Sequence, residues 1–391
     1  MPTDRQPSLL FLLPNLNFGG AETQTVEQVN HLHGLGHTVF LAVLDGGKLA
    51  LLDKVALPPE RVFLLKKSGL TPFRLARLPK LAACATPLAD FARANGIQKI
   101  VANLPSGHLL ARLAKRKLGS RTPVQIFHYH HSTEFSAAGH GLSQAIFNGL
   151  NRWLGSRLDD GHIYISEAVR ADYEAHVRVK NGRVIHNAVA PKEADVAFAQ
   201  KFLREKSLDF QRLIVVPGRV HEVKGQMFLL DALAPMLETE VWRSQKTALV
   251  FAGGGPAEAQ VRAKIELLGL AGQCLTTGYL PNEQLLSFVK LASLVLIPSL
   301  VEGFGNVALE GLMLGKTMLA SDAGGLPEII RDGENGWLFR VGDAADLREK
   351  LAAWLAQPTF FEPKTLQHEF AERYALDSQV RQLLDFLAQT G

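Results

Sequence analysis

The sequence predicts an α/β protein of two domains, each a parallel sheet flanked by helices, and three observations carry that reading. Short apolar runs alternate with helical patterns along almost the whole chain, the arrangement of parallel strands joined by crossover helices. At 391 residues the chain exceeds one typical domain of roughly 100 to 200 residues. The alternation breaks once, at Asn187-Ala188-Val189-Ala190-Pro191 and a charged helical stretch from Lys192 to about Lys206, and then resumes. Boundaries therefore fall near residues 190 and 365. They give domains 1–190 and 191–365 and a helical segment, 366–391, expected to pack back on the first domain.

In the first domain, Leu9-Leu10-Phe11-Leu12-Leu13 has no polar position and reads as a strand buried on both faces. Asn17-Phe18-Gly19-Gly20-Ala21-Glu22 follows as a glycine turn opening a helix through about Leu35, and Thr38 to Leu44 is the next strand. This opening makes Gly19 and Gly20, with Glu22 behind them, a candidate anion-binding turn. It is not the turn of a nicotinamide-cofactor domain, because Asp45 supplies an acid but the G-x-G-x-x-G spacing is absent. Further strands are expected at Lys99 to Ala102, Val124 to Tyr129, His162 to Ile165 and Arg183 to Ile185. Helical patterns lie between them around Leu75 to Ala94, Leu109 to Leu118, Leu142 to Leu154 and Ser166 to Ala175. One strand ends in His128-Tyr129-His130-His131, and alternation sends His128 and His130 to one face and His131 to the other. Such sheets bind ligands at the carboxyl ends of their strands, so these histidines are functional candidates.

The second domain repeats the pattern with strands at Leu213 to Val216, Leu249 to Ala252, Cys274 to Thr276, Leu294 to Ile297, Thr317 to Ala320 and Trp337 to Phe339. Its first strand runs into Pro217-Gly218-Arg219-Val220-His221-Glu222-Val223-Lys224-Gly225, where Arg219 and Lys224 flank the next helix and together can neutralise a diphosphate. Gly253-Gly254-Gly255-Pro256 ends the next strand in the same way. The run Leu294 to Pro298 delivers Val301-Glu302-Gly303-Phe304-Gly305-Asn306-Val307-Ala308-Leu309-Glu310. That stretch sets a carboxylate and two glycines in a loop and a second carboxylate in the first turns of a helix. Gly303 and Gly305 let the backbone approach an anion, whose charge a helix N-terminus favours. Three such turns in one domain point to a single cleft for a sugar joined to a phosphate.

A hydrophobic content of 47% and a charged content of 20% describe a soluble globular protein. No apolar run approaches the roughly 18 residues of a membrane span, and the first residues lack a secretory layout, so a cytoplasmic location is expected. Cys84 and Cys274 suggest neither a disulfide framework nor a metal site, and there is no Asp-x-Asp. The net charge of +4 hides an asymmetry: from Arg61 to Thr133 there are thirteen Lys or Arg and one acid, Asp90. Such a field suits an anionic membrane surface or an acidic substrate. Leu and Ala, rather than stacking aromatics, interleave those cations, which argues against nucleic acid.

Taken in order, Gly19-Gly20-Ala21-Glu22, His130, Asn187, Gly218-Arg219 with Lys224-Gly225, Gly253-Gly254-Gly255, Gly278, Pro298-Ser299, Glu302-Gly303-Phe304-Gly305 with Glu310, and Gly324-Gly325 with Glu328 resemble the GT-B glycosyltransferases of family 4. The resemblance covers nearly the whole chain. It implies two facing Rossmann-like domains with a cleft between them, the acceptor mainly on the first and the nucleotide sugar mainly on the second. It implies a retaining transfer from a nucleoside-diphosphate sugar, most commonly a UDP-sugar, to a glycan or lipid-linked acceptor, without metal or cofactor. Glu302 and His130 then lie by the donor sugar, with His131 as competitor. Arg219, Lys224 and the backbone of Gly305, Asn306 and Val307 hold the diphosphate. Glu310 holds the ribose, with Gly253, Gly278, Tyr279 and Leu280 around the nucleotide. Gly19, Gly20 and Glu22 belong to the acceptor side. Asn187 stands where the family reads Pro-Asn-Gly and this chain reads His186-Asn187-Ala188. The two carboxylates thus hold hydroxyls and are not the acid and base of a hydrolase. Polysaccharide or lipopolysaccharide synthesis on the inner face of the cytoplasmic membrane is the corresponding setting. A sugar-nucleotide epimerase or hydrolase, and a non-catalytic sugar-nucleotide binder, are the alternatives.

Overall fold

The computed structural model describes residues 6–389 apart from 48, 66–77, 120–121, 134, 136–145, 147–148, 150–152, 156, 191, 238, 240–241, 243 and 245. It divides into two compact units, Met1–Ala188 with Leu376–Gly391, and Val189–Ala375.

The first unit holds a seven-stranded parallel sheet in the order β3-β2-β1-β4-β5-β6-β7. Its strands are β1 (Leu9–Leu13), β2 (Val39–Val43), β3 (Val62–Leu64), β4 (Lys99–Asn103), β5 (Gln125–His130), β6 (Gly161–Tyr164) and β7 (Gly182–Val184). Every residue of β1 is buried, as a central strand covered on both faces requires. The edge strand β3 was not expected from sequence; it has three residues, none fully buried, too few to show a period. The helix expected at Leu75 to Ala94 is described as two, Leu78–Ala83 and Ala85–Ala94. Pro87 lacks the N–H that would bond the Ala83 carbonyl in a continuous helix. Residues 75–77 and much of the helix expected at Leu142 to Leu154 lie outside the described residues.

The second unit holds six parallel strands in the order β10-β9-β8-β11-β12-β13. They are β8 (Arg212–Pro217), β9 (Thr247–Ala252), β10 (Cys274–Thr276), β11 (Leu294–Ile297), β12 (Met318–Ser321) and β13 (Trp337–Phe339). The helix Pro363–Arg373 stays with this unit, tied by Glu369, which accepts from Arg331 and from Asn335 Nδ2. The return to the first unit starts at Leu376, later than the boundary expected at 366. There the helix Leu376–Gln389 lies against the helix Gly20–Gly34. Gln379 Nε2 donates to the His186 carbonyl at 2.9 Å, and the Phe386 ring meets Phe127 edge-on at 5.9 Å.

Candidate functional site

In each sheet one pair of neighbouring strands marks where the order reverses: β8 and β11 in the second, β1 and β4 in the first. Connections leaving such a pair run to opposite sides and open a crevice at the carboxyl ends, where ligands bind. The residues singled out from the sequence collect at these two places.

In the second unit, β8 leads into Gly218 and Arg219, and β11 leads into Pro298 through Glu302. Lys224 Nζ donates to Glu302 Oε2 at 2.6 Å across this reversal, and Ser299 Oγ donates to the same oxygen at 3.1 Å. The Ser321 hydroxyl holds the Ser299 carbonyl at 2.6 Å. Leu300 N donates to the Val223 carbonyl at 2.8 Å, joining the two loops through their backbones. A Cβ on Gly225 (φ 71°) would overlap the Pro298 carbonyl, and one on Gly324 (φ 55°) would overlap the Glu302 carbonyl. Glycine is therefore required at both positions by contact and by backbone angle. Arg219 is exposed, and among the described residues it forms no ion pair; Gln226 Nε2 fixes its carbonyl at 3.1 Å.

Gly305 (φ 109°) precedes the helix Asn306–Met313, with Asn306 and Val307 in its first turn. One turn further along that helix, Glu310 is 7% exposed and accepts from Asn282 Nδ2 at 2.9 Å. Gly253 bridges Gly278 in antiparallel fashion, and its N–H donates to Thr277 Oγ1 at 2.9 Å. Tyr279, 61% exposed, and the half-buried Leu280 follow. Asn282 was not among the site candidates from sequence, and Ser299 entered only within the Pro298-Ser299 motif, with no role assigned to it. Asn282 had a readable signal, standing directly after Pro281 at a helix start, whereas Ser299 contacts Glu302 only because the loop folds back.

In the first unit, Gly19 and Gly20 open their helix, but the Glu22 side chain folds back against Gly19. A carboxylate of the first turn thus already occupies the helix start. His128 and His130 share one face and Tyr129 and His131 the other, as alternation requires. His130 is 0% exposed, its Nε2 3.1 Å from His162 Nδ1 and its ring 4.1 Å from that of Tyr173. Beside it Arg112 forms two bonds to Asp159, at 2.8 and 2.5 Å, and His128 Nε2 lies 2.8 Å from the same carboxylate. Burial holds His130 and His162 down to about 3, with Arg112 adding to the effect on His130 and neighbouring His130 to that on His162. His131 is half-buried at the end of the strand, its ring stacked on Tyr129 at 4.7 Å. Of the two candidates, His131 is the one whose side chain is not fully enclosed. Asn187 is buried where the first unit ends.

The basic run is weaker on the surface than in the sequence. Lys99 and Arg112 are buried, Lys115 pairs with Asp160 at 2.5 Å, and Arg93 pairs with Asp90. Asp159 and Asp160 come from outside the run, so the fold supplies counter-charges that the window from 61 to 133 could not show. Lys80, Arg116 and Lys117 stay exposed, while Lys66, Lys67, Arg74, Arg77 and Arg121 lie outside the described residues. Among the described residues no helix is long and apolar enough to cross a membrane, and no group of three or more His, Cys, Asp or Glu is placed to hold a metal ion.

The two-sheet architecture is that of the GT-B glycosyltransferases. A solved structure of Anabaena Alr3699/HepE in complex with UDP-glucose matches with a TM-score of 0.79 at 20% identity, covering 98% of this chain and 99% of that one. The family profile described as glycosyl transferases group 1 matches residues 199–374, and that of glycosyltransferase family 4 matches residues 18–193. Together the two profiles cover most of the chain and support its assignment to the glycosyl transferases group 1. Alpha-D-kanosaminyltransferase of Streptomyces kanamyceticus is 31% identical over 41% of this chain and 42% of its own length. D-inositol 3-phosphate glycosyltransferase of Corynebacterium diphtheriae is 37% identical over 36% and 34%. The chain thus spans less than half the length of these two curated relatives.

Proposed function

We propose that the chain transfers a sugar from a nucleoside-diphosphate sugar, a UDP-sugar above all, to a hydroxyl of a glycan or lipid-linked glycan, with retention at the anomeric carbon and without a metal. The observation that carries this reading is the Lys224–Glu302 pair across the strand reversal of the second sheet, with Arg219 exposed beside it. As the glycosidic bond breaks, negative charge grows on the departing diphosphate. Two cations and a helix start at Gly305 stabilise that charge more in the transition state than in the ground state. They supply the positive charge that a divalent cation supplies in other phosphate sites. Glu310, held by Asn282, takes the ribose hydroxyls, Tyr279 offers an exposed ring to the base, and Glu302 holds a sugar hydroxyl.

The first sheet, with the Gly19-Gly20 turn and the neighbourhood of His131, takes the acceptor. Its surviving exposed cations support an acidic or membrane-linked acceptor, as in polysaccharide or lipopolysaccharide synthesis. The test is UDP release from a panel of UDP-sugars in EDTA, with and without a lipid-linked glycan. Release that depends on acceptor supports the transferase. Equal release without acceptor would favour a hydrolase, and tight binding with no release a sugar-nucleotide binder. Equal flotation with neutral and anionic liposomes would remove the membrane argument.

A further inference from the structure

We propose that Asn103 is a positioning residue that fixes His131 as its Nε2–H tautomer, so that Nδ1 is the atom accepting a hydrogen bond from a substrate hydroxyl. The link to a substrate rests on the reading of His131 given above. Asn103 is the last residue of β4, next to β1 at the strand reversal of the first sheet. Leu104 follows with φ 62° and then Pro105. A leucine in the left-handed region is strained, because its Cβ crowds the following carbonyl, and strain of this kind gathers at functional sites.

The protons can be assigned from the neighbours. The Asn103 side chain is 0% exposed. Its Nδ2 lies 3.3 Å from the Leu12 carbonyl and 3.4 Å from the Val101 carbonyl. Carbonyls only accept, so the amide nitrogen must face them and the amide oxygen must face His131 Nε2, 2.7 Å away. The Thr25 hydroxyl, 3.3 Å from that oxygen, is better placed to donate to the Ala21 carbonyl at 2.8 Å. An amide oxygen carries no proton, so Nε2 carries one. Burial, and then His130, lower His131 to about 3, which leaves its ring neutral with that single proton. Nδ1 therefore presents a lone pair. It is buried and has no hydrogen-bond partner among the described residues. A buried acceptor without a partner is unfavourable, and a substrate hydroxyl that reached it would remove the deficit. Tyr129, stacked at 12° between ring planes, fixes the direction in which the lone pair points.

The test is an imidazole nitrogen–proton correlation spectrum of the full chain labelled with nitrogen-15 histidine at pH 7.5, with His131 assigned through His131→Gln. The expected pattern for His131 is the neutral Nε2–H form. It becomes a mixture of tautomers in Asn103→Leu and persists in Asn103→Asp, whose carboxylate accepts the same proton. With the most active of UDP-glucose, UDP-galactose and UDP-N-acetylglucosamine, Asn103→Leu should lose on the order of tenfold or more in kcat. KM should stay within about twofold, and Asn103→Asp should regain part of the loss. An Nδ1–H or charged His131 in the unmodified protein would overturn the proposal, even where Asn103→Leu fails to fold. So would a folded Asn103→Leu with unchanged kcat beside an inactive His131→Gln. A fully active His131→Gln would instead sink the reading of His131 itself, an outcome distinct from the tautomer result.

Discussion

Lys224→Ala and Glu302→Gln should move UDP affinity in opposite directions, because the two side chains are bonded to each other at 2.6 Å before any ligand arrives. A diphosphate that recruits the Lys224 ammonium competes with the Glu302 carboxylate for it. Lys224→Ala removes a charge-assisted bond worth about 1.5–3 kcal/mol, and it leaves Glu302, 12% exposed, with the Ser299 hydroxyl alone of its two observed donors. Kd for UDP should rise roughly 10- to 150-fold. Glu302→Gln keeps the shape and removes the competing charge. With the lysine 29% exposed, the pair is worth at most about 1 kcal/mol, so UDP should bind up to about fivefold more tightly. Turnover of the UDP-sugar should nevertheless fall in both variants. Isothermal titration calorimetry with UDP reads the sign directly. If Glu302→Gln weakened UDP as much as Lys224→Ala did, the competition would be absent. An unchanged Kd in Lys224→Ala would remove the lysine from the diphosphate altogether.

Three further outcomes follow from the same geometry. Glu310→Ala should abolish the preference for UDP over 2′-deoxy-UDP, with a loss of about 1–3 kcal/mol in UDP binding; an intact preference in titrations would separate Glu310 from the ribose. Gly225→Ala should destabilise the protein by more than about 1 kcal/mol and weaken UDP, because the new Cβ would overlap the Pro298 carbonyl at a φ of 71°; a melting temperature equal to that of the unmodified protein would contradict this. The third concerns acid. His130, His131 and His162 titrate near 3 in the folded chain, against about 6.5 when unfolded. The unfolded chain binds more protons between these values, so their stability is complete above about 6.5 and is lost as pH falls toward 3. Each histidine contributes a slope of about 1.4 kcal/mol per pH unit across that interval. Urea midpoints should already decline between pH 6.5 and 5, before most carboxylates titrate, and a flat profile there would argue against buried neutral histidines.

The layered plan and most of the candidate residues of the second unit were legible in the amino-acid sequence. An uninterrupted apolar strand such as Leu9–Leu13 can only be covered on both faces, and helical stretches between such strands force parallel connections. Glu302 and Glu310, eight positions apart, and the cations Arg219 and Lys224 were legible because local spacing fixes where they fall on a strand-loop-helix unit. Alternation likewise separated His128 and His130 from His131, but it could not say which face was filled. That depended on His162, Tyr173, Arg112 and Asp159 arriving from distant elements to enclose His130. Three-dimensional packing alone decided the Lys224–Glu302 bond, the Asn282–Glu310 bond and the Asn103–His131 bond, whose partners lie 78, 28 and 28 residues apart. It also decided the burial of Lys99 and Arg112 within a run that reads as open positive charge. A side chain's chemistry is written in the sequence, whereas its protons and its counter-charge are set by whatever the fold brings within about 3 Å.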